Sequence, residues 1–456
     1  MKAFGRRDTP EITVARPAAP AGPAPVPSPL PRPLLIAKTE QMTAELRQRV
    51  LKQIDSAALN ELPETALQRQ LEAVIHDIAN QERYELSSRQ QSRMAEELVQ
   101  DMLGYGPIEP LLRDDEITDI MVNGPSDVFV ERRGKLELTD VTFRDNEHIA
   151  QLAQKIVARV GRRVDESSPM VDARLHDGSR VNVILPPLAV DSPCISIRKF
   201  SRRRLGLTEM TQNGTMTSGV ARLLGVAARA RLNVLIAGGT GSGKTMLLNA
   251  MSNLIDSGER IVSIEDAAEL QLQQRHVIRL ETRPPNLEGI GQVTQRDLVY
   301  NALRMRPDRI IVGEVRGAEA FDMLQAMNTG HDGSMSTIHA NSARETLTRV
   351  ENMVQMGQVS LPSRAIRSQI VGAIDLIVHV ERMHDGQRRV RQITEVCGME
   401  ADMITTNDVV AFEFDGEDSQ GRIQGHYRSS GVRPGFQSRL DYFGLGKAWG
   451  AAVTEA

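Results

Sequence analysis

Eight residues, 238–245, read GGTGSGKT and form a complete G-x-x-x-x-G-K-[ST] phosphate-binding loop. The apolar run NVLIA precedes the loop at 233–237, and MLLNA follows it at 246–250. This order is typical of a buried strand, a phosphate loop and a helix, in which backbone N–H groups wrap nucleotide phosphates. The lysine of such a loop pairs with β- and γ-phosphate oxygens, and the hydroxyl residue holds Mg²⁺. The pattern therefore predicts that Lys244 and Thr245 bind a nucleoside triphosphate and its Mg²⁺.

The glycines suit this role because the backbone must approach an anion closely and can need positive φ angles. The helix that follows presents its positive N-terminal end to the phosphates. We expect the whole loop to line the nucleotide site, namely Gly238, Gly239, Thr240, Gly241, Ser242, Gly243, Lys244 and Thr245.

Two acidic positions follow apolar, strand-like runs and are candidates for the carboxylates that handle Mg²⁺ and water in phosphoryl transfer. Glu314 follows IIVG at 310–313, in a role that more often falls to an aspartate. We expect Glu314 either to hold Mg²⁺ through water or to polarise the attacking water. Glu265 and Asp266 follow IVSI at 261–264. Glu265 is the candidate catalytic acid of this pair, whereas Asp266 could equally cap a short helix.

Cations must also neutralise the γ-phosphate in the transition state. Besides Lys244, an arginine from the preceding part of the chain could serve, and Arg174, Arg180 and Arg198 are the natural donors. We favour Arg180. If Asp177-Gly178 formed a strict two-residue hairpin turn, Arg174 would pair with Val181, and Arg174 and Arg180 would point to opposite faces of the sheet.

Two histidines flank the strand-like run 334–338. His331 and His339 are eight residues apart, which is not the i, i+4 spacing of a zinc-binding helix. His339, at the end of the strand, is expected to hydrogen-bond a phosphate or to report the nucleotide state to the next domain. For His331 a structural role is at least as well supported.

Composition and periodicity divide the chain into five predicted segments. A Pro/Ala-rich tail cannot bury enough surface to order itself, and the next segment has helical spacing. A mixed α+β segment follows, and then apolar strands at 233–237, 260–264, 309–312, 334–338 and 376–380 alternate with helices, which predicts a parallel sheet. The final segment has no motif that we can interpret. The boundaries are 1–38 for the disordered tail, 39–112 for the helical module, 113–203 for the α+β domain, 204–403 for a RecA-like P-loop ATPase domain and 404–456 for a C-terminal extension.

The overall composition argues against several classes of protein. A net charge of −4 and 3% aromatic residues give neither the basic face nor the stacking platforms of a nucleic-acid binder. The two cysteines, Cys194 and Cys397, have no metal-ligand spacing and favour a reducing compartment. No run approaches the length of a membrane helix, and the N-terminus has no apolar signal region. We therefore expect a cytoplasmic protein that meets a membrane only through partners.

The order of these motifs resembles the secretion ATPase superfamily, and specifically the CpaF-type ATPases of tight adherence (Tad/Flp) pilus assembly. The resemblance covers RARLNVLIAGGTGSGKT, RIVSIEDAAELQLQQRHVIRLETRPPNLEG, LRMRPDRIIVGEVRGAEAFDMLQAMNTGHDGSMSTIHAN and the hairpin ARLHDGSRVNVILPP, together with the helical module before it. It implies a Walker A loop, an Asp box around Glu265 and Asp266, an atypical Walker B motif ending at Glu314 and a His box ending at His339. The Pro-rich tail and residues 404–456 depart from the family pattern.

The resemblance further implies a homohexameric ring that hydrolyses ATP with Mg²⁺ at the inner membrane. There it would drive a membrane platform protein to extract and polymerise pilin subunits. Two other interpretations remain open. One is a nucleotide-gated scaffold with little turnover. The other is a motor of the related type IV secretion branch, whose DNA-handling form predicts salt-sensitive DNA binding.

Overall fold

The structure is a computed structural model. It describes residues 45–46, 49–50, 64–82, 84, 86–132, 134–175, 177–200, 205–285, 289–357 and 361–456. The predicted tail 1–38 lies outside the described residues, and so does the predicted boundary at 203–204. Contacts divide the chain into two compact units, with the division between Glu109 and Pro110. The finer domain boundaries stay predictions.

The N-terminal unit is helical, as its apolar spacing predicts. Helix α1 spans Glu64–Gln81 and α2 spans Ser88–Leu103, and a 3-10 turn at Gly106–Ile108 follows. The short helix α3, Glu109–Arg113, includes the division between the two units. Ser87 caps α2, since its hydroxyl accepts the Gln90 N–H and the Gln90 side chain returns to the Ser87 backbone N–H. The helices bury one apolar cluster, which includes Leu46, Val50, Leu67, Leu71, Ile75, Met94 and Leu98.

An antiparallel sheet begins the second unit and confirms the predicted α+β segment. Its strands are β1 Ile117–Val122, β2 Val128–Arg132, β3 Lys135–Leu138, β4 Met170–Arg174, β5 Arg180–Ile184 and β6 Cys194–Arg198, in the order β3-β2-β1-β6-β5-β4. Helix α4, Asn146–Arg159, begins after Asp145, whose side chain accepts the His148 N–H. Buried residues alternate along β5 and β6. One face of the sheet is therefore core, and the other is free to carry polar side chains.

The hairpin between β4 and β5 corrects one prediction. Leu175 N–H donates to the Ser179 carbonyl and Gly178 N–H to the Leu175 carbonyl, so the loop is longer than two residues. Arg174 consequently pairs with Arg180, and Arg180 pairs with Arg198. Directly paired residues share a face of a sheet. The prediction that Arg174 and Arg180 point to opposite faces is thus wrong, and all three arginines lie on one face.

A nine-stranded sheet forms the rest of the second unit, in the order β15-β14-β13-β12-β7-β11-β10-β8-β9. Its strands are β7 Val234–Gly238, β8 Ile261–Glu265, β9 Val277–Glu281, β10 Arg309–Val315, β11 Met335–His339, β12 Leu376–Arg382, β13 Arg388–Glu400, β14 Met403–Glu417 and β15 Ile423–Ser429. The pairs from β12 to β9 are parallel, and β13, β14 and β15 pair in antiparallel fashion. The five strands predicted from apolar runs are all present, and the predicted parallel sheet is confirmed.

Helices cover both faces of this sheet. They are α5 Leu207–Gln212, α6 Ser218–Arg229, α7 Lys244–Ser252, α8 Gln295–Ala302, α9 Glu319–Asn328, α10 Ala343–Met356, α11 Ser363–Ala373, α12 Gln437–Tyr442 and α13 Gly446–Glu455. Strand β7 is buried throughout, with Val234 and Ile236 in one apolar cluster and Leu235 and Ala237 in the other. This placement explains the uninterrupted apolar run before the phosphate loop, because a strand covered on both faces has no polar side.

The C-terminal residues continue the same sheet. Most of β14 and all of β15 fall within 404–456, and α13 packs on α6. Most side chains of β14 are half-buried or exposed, which leaves little apolar alternation for a sequence pattern to detect. Among the helices in the described part of the chain, none is long and apolar enough to cross a bilayer.

The topology brings the predicted site residues to one edge of the sheet. Strands β7, β11, β10 and β8 are successive neighbours and run parallel. Gly238, His339 and Glu265 end three of these strands, and Glu314 is the penultimate residue of the fourth. Ligands of parallel α/β sheets bind at this edge, at the carboxyl ends of the strands.

Candidate nucleotide site

The phosphate loop has the backbone that its glycines predict. Gly241 and Gly243 have φ angles of 70° and 98°, in the left-handed region that favours glycine. A Cβ on Gly238 would lie 2.3 Å from the Val380 carbonyl oxygen and 2.4 Å from Ser242 Oγ. Helix α7 begins immediately after Gly243, so its N-terminal N–H groups face the loop. The loop is therefore built for an anion that approaches the backbone.

Side-chain contacts hold the loop together. Lys244 Nζ donates to the carbonyl oxygens of Gly238 and Gly239, both at 3.0 Å, and Ser242 Oγ donates to Gly239 at 2.9 Å. Thr245 is half-buried in the first turn of α7, and Thr240 is exposed. Burial lowers the pKa of Lys244; the Glu314 carboxylate opposes this change, and the charges of Arg316 and Arg198 add to it. The charges of residues in β6, in β10 and in the loop after β10 thus act on Lys244.

Glu265 has one satisfied and one unsatisfied carboxylate oxygen. Its Oε2 accepts the backbone N–H groups of Glu269 and Leu270 at 2.7 and 2.8 Å. Its Oε1 is buried and has no hydrogen-bond partner within the described residues. Burial raises the pKa of Glu265 to about 6, even though these N–H groups favour the ionised form. A buried acceptor of this kind is suited to a water molecule or a cation.

Glu314 is paired with an arginine that follows it in the chain. Arg316 donates to Glu314 Oε2 through Nη2 at 2.5 Å and through Nε at 2.9 Å, and to Asp266 Oδ2 through Nη1 at 3.3 Å. The Glu319 carboxylate accepts the backbone N–H groups of Arg316 and Gly317. Asp266 therefore contacts the loop after β10. Arg316 was not predicted as a site residue, although its position two residues after Glu314 was a usable signal.

Two of the three candidate arginines of the antiparallel sheet, Arg174 and Arg180, contact the segment that follows Glu265. Arg174 pairs with Glu281 and donates to the Ala268 carbonyl at 2.7 Å. Arg180 Nη1 lies 3.3 Å from Glu269 Oε1. Arg198 pairs with Asp119 at 3.8 Å and is the one of the three predicted donors whose charge acts on Lys244. The predicted donors therefore lie close to the phosphate-loop sheet of their own chain.

The two histidines differ in their surroundings. His339 is half-buried and lies directly beside Gly238 in the ladder between β11 and β7, at the start of the phosphate loop. His331 contacts the Ala326 carbonyl through Nδ1 at 3.1 Å, which is a structural contact within its own turn. The structure thus brings His339 to the site and places His331 at the opposite end of β11.

Two further arginines adjoin the loop, and the sequence patterns did not predict them as site residues. Arg388, the first residue of β13, donates through Nε to the Gly241 carbonyl at 2.9 Å. Arg382, the last residue of β12, donates to the Gly134 carbonyl in the turn between β2 and β3. The turn signal Asp385-Gly386 was available in the sequence. No local pattern, however, could show that β12 would pair with β7 and bring the hairpin to the loop.

The sequence is similar to those of known secretion and transfer proteins. Residues 101–424 match the profile of a family described as type II/IV secretion system protein. A Mycobacterium tuberculosis protein provisionally named for conjugal transfer is 41% identical over 302 residues, which cover 65% of this chain and 85% of that protein. The type IV secretion system protein VirB11 of Brucella suis is 32% identical over 318 residues, which cover 64% and 88% of the two chains.

The crystal structure of the Brucella suis VirB11 ATPase with sulphate is 31% identical in sequence; the match covers 63% of this chain and 94% of that chain, with a TM-score of 0.35. The family profile includes the antiparallel sheet, the phosphate loop and the strand ends that carry Glu265, Glu314 and His339. Because that match covers well over half of the sequence, the chain belongs to the type II/IV secretion system protein family.

Proposed function

We propose that this protein is an ATPase that hydrolyses ATP to ADP and phosphate. The observation that carries the proposal is the convergence of the phosphate loop, Glu265, Glu314 and His339 at the ends of four adjacent parallel strands. A site that only bound phosphates would need the loop and the helix terminus. Carboxylates beside the loop are the additional groups that hydrolysis requires.

The residues present fit a Mg²⁺ ion. The candidate donors are the Thr245 hydroxyl, in the first turn after the loop, and the carboxylates of Glu314 and Glu265 at the same edge of the sheet. Hard oxygen ligands of this kind suit Mg²⁺. The unsatisfied Oε1 of Glu265 supports the presence of a further ligand in this region. We propose that Thr245 holds the ion and that Glu314 does so through water. When bound, Mg²⁺ neutralises charge on the β- and γ-phosphates.

The chain's own residues then have separate roles. Lys244 pairs with the β- and γ-phosphate oxygens, and the N–H groups of the loop hold the phosphates. Glu265 Oε1 orients the attacking water and takes its proton. The water oxygen bonds to the γ-phosphorus as the bond from that phosphorus to the β–γ bridging oxygen breaks, so that ADP leaves. The pKa of about 6 suits a general base near neutral pH.

Arg180 and His339 complete the proposed site. Arg180 supplies positive charge against the γ-phosphate in the transition state, and its contact with Glu269 places it beside the segment that also holds Glu265. His339 adjoins Gly238, where an imidazole can hydrogen-bond a phosphate or transmit the state of the loop.

We further propose that the protein works as a homohexameric motor of a Tad/Flp pilus machine, at the cytoplasmic face of the inner membrane and in contact with a platform protein. The CpaF-like order of motifs supports this subtype. A type IV secretion motor is the second candidate, because one relative is named VirB11 and another is named for conjugal transfer. The net charge of −4 argues against a form of that motor that handles DNA.

Steady-state ATP hydrolysis by the purified oligomer tests the activity. We expect Lys244→Ala and Glu314→Gln each to reduce turnover about 100-fold or more, since positioned charges and water-handling groups contribute effects of this size. Lys447→Ala and Glu166→Gln, at exposed positions, are the matched controls. Unchanged turnover in both site variants would overturn the catalytic assignment.

The choice between a motor and a scaffold requires the membrane partner. Turnover stimulated by a reconstituted inner-membrane platform protein supports the pilus motor. Salt-sensitive stimulation by DNA instead would favour the conjugation-like branch. If the protein binds ATP but hydrolyses none with the platform protein or with DNA, the nucleotide-gated scaffold is the interpretation that remains.

A further inference from the structure

The hairpin between β12 and β13 lies against the phosphate loop. Strand β12 pairs with β7 in parallel, with Val378 opposite Ile236 and His379 opposite Ala237. The chain then continues past the loop, and the Val380 carbonyl comes so close to Gly238 that a Cβ there would lie 2.3 Å from it. The ends of both hairpin strands therefore reach the loop, although they are about 140 residues away in sequence.

Arg388 makes the most direct contact between the hairpin and the loop. Its Nε donates to the Gly241 carbonyl at 2.9 Å, and its Cδ would lie 3.3 Å from a Cβ on Gly243. Gly241 and Gly243 are the two loop residues with positive φ. A guanidinium bound to one carbonyl and packed against the next glycine restricts the peptide planes that must present N–H groups to phosphate.

The charges around Arg388 also suit a site that binds phosphates. Arg382 Nη1 would lie 3.9 Å from a Cβ on Gly241, so a second guanidinium adjoins the loop. Burial lowers the pKa of Arg388, and the charges of Arg382 and Arg198 lower it further, against the opposing charge of Glu131. Positive groups gathered beside a phosphate loop become favourable once a polyanion lies among them.

Arg388 differs from two nearby arginines on the same strand in its partners. Arg389 forms a two-pronged pair with Asp385 at 3.0 and 2.8 Å, and Arg391 lies 3.9 Å from Glu381. Within the described residues Arg388 has no carboxylate partner and donates instead to a loop carbonyl. Unlike Arg389 and Arg391, Arg388 thus donates its hydrogen bond to the loop and not to a carboxylate.

We propose that Arg388 is a positioning residue of the nucleotide site. It fixes the Gly241 peptide, orients the loop N–H groups and, together with Arg382, adds positive charge where the phosphates bind. This inference rests on the proposed function, because it assigns a role within the same site. The proposed nucleotide site then consists of the loop, Glu265, Glu314, His339 and, in addition, the hairpin between β12 and β13.

Binding of fluorescent ADP and ATP analogues, measured beside steady-state ATP hydrolysis, tests the role. We expect Arg388→Ala to raise Kd and KM about tenfold, as loss of one charge-assisted hydrogen bond predicts, and to change kcat less. Arg388→Lys keeps a cationic donor and should recover most of the affinity. Arg391→Ala, on the same strand, should bind like the wild type. Without nucleotide, Arg388→Lys and Arg391→Ala should unfold at the wild-type temperature, whereas Arg388→Ala loses one hydrogen bond and should unfold slightly lower.

Three outcomes would contradict the inference, each in a different way. A Kd of Arg388→Ala within twofold of the wild type, beside Lys244→Ala that has lost binding, would overturn the role of Arg388 and leave the proposed function intact. If Arg388→Ala fails to fold, Arg388→Lys decides, and a tenfold loss in that variant would overturn the role as a cationic donor. A wild-type protein that neither binds nor hydrolyses nucleotide would instead overturn the proposed function.

Discussion

Gly313 leaves the space that the Glu265 side chain occupies. A Cβ on Gly313 would lie 2.9 Å from Glu265 Cγ, closer than real Cβ contacts occur. Gly313 belongs to β10 and Glu265 ends the neighbouring strand β8. Glu265 can therefore hold its position only because residue 313, just before Glu314, has no side chain.

Gly313→Ala should displace Glu265 and lower activity. The added methyl group overpacks a buried contact, which costs about 1–3 kcal/mol in comparable cases, and it moves Oε1 away from its position. We expect kcat to fall about tenfold or more with little change in Kd for ATP, measured by hydrolysis and by equilibrium binding. Gly450→Ala is the matched control, since a Cβ there would meet nothing within 4 Å. Normal turnover in Gly313→Ala would show that Glu265 is not the general base.

Glu265 should make the stability of the protein depend on pH. Its pKa is raised from 4.5 to about 6 by burial. A carboxyl with a higher pKa in the folded state contributes stability that is fully present below pH 4.5 and is lost as the pH rises through 6. The difference between these two pKa values corresponds to about 2 kcal/mol.

Glu265→Gln does not titrate and should remove this dependence. Relative to the wild type, its free energy of unfolding should rise by about 2 kcal/mol between pH 4.5 and pH 7.5, as measured by urea denaturation. Glu166→Gln, an exposed control, should follow the wild type at every pH. Parallel curves for Glu265→Gln and the wild type would contradict the raised pKa.

The same titration should appear in the activity of the wild type. As the pH is lowered through 6, Glu265 takes up a proton and kcat/KM for ATP hydrolysis should decrease.

Arg316 should control the position of Glu314. It bonds Glu314 through two nitrogens and reaches Asp266 with a third. Arg316→Ala should therefore lower kcat about tenfold or more, as expected for loss of charge-assisted hydrogen bonds, whereas Arg316→Lys should retain part of the activity. Arg364→Ala, at an exposed ion pair, is the control. An Arg316→Ala protein with unchanged kcat would mean that Glu314 keeps its position without this pair.

Arg180 should act on the nucleotide of its own chain, since it contacts Glu269 there. Arg180→Ala should lower kcat, and mixing it with Lys244→Ala tests which subunit it serves. If Arg180 acted on a neighbouring subunit, mixed rings would contain sites with both residues intact and would regain activity. We expect no recovery. Recovered hydrolysis in the mixture would place the arginine in trans, and full activity of Arg180→Ala alone would exclude it as the γ-phosphate cation.

The C-terminal residues should stabilise the base of strand β7. Asp375 Oδ2 accepts the Asn233 N–H at 2.7 Å and pairs with Arg439 of α12 at 2.7 Å. Arg439→Ala leaves this partly buried carboxylate with one partner fewer, which should lower the free energy of unfolding by about 1–3 kcal/mol in urea denaturation. Arg433→Ala, at an exposed position, should have no measurable effect. Equal stability of the two variants would show that α12 does not secure the sheet.

Much of the fold could be predicted because buried strands leave a continuous apolar run. The runs before Gly238, Glu265, Glu314 and His339 are all strands of the parallel sheet. Strands β14 and β15 were not predicted, since their side chains are mostly half-buried or exposed and carry little apolar signal. The hairpin register at 175–179 was mispredicted, because a one-residue difference in loop length reverses the face of every following side chain.

The sequence by itself was enough to predict a phosphate-binding loop at 238–245, because close backbone approach, positive φ and a lysine at fixed spacing leave a local record in residue types. It also placed Glu265, Glu314 and His339 at strand ends. Only the tertiary structure decided which groups meet there: Arg316 on Glu314, Gly313 beneath Glu265, and Arg388 on Gly241. These contacts depend on strand order and register, and residues far apart in a chain carry no local pattern of the pairing that joins them.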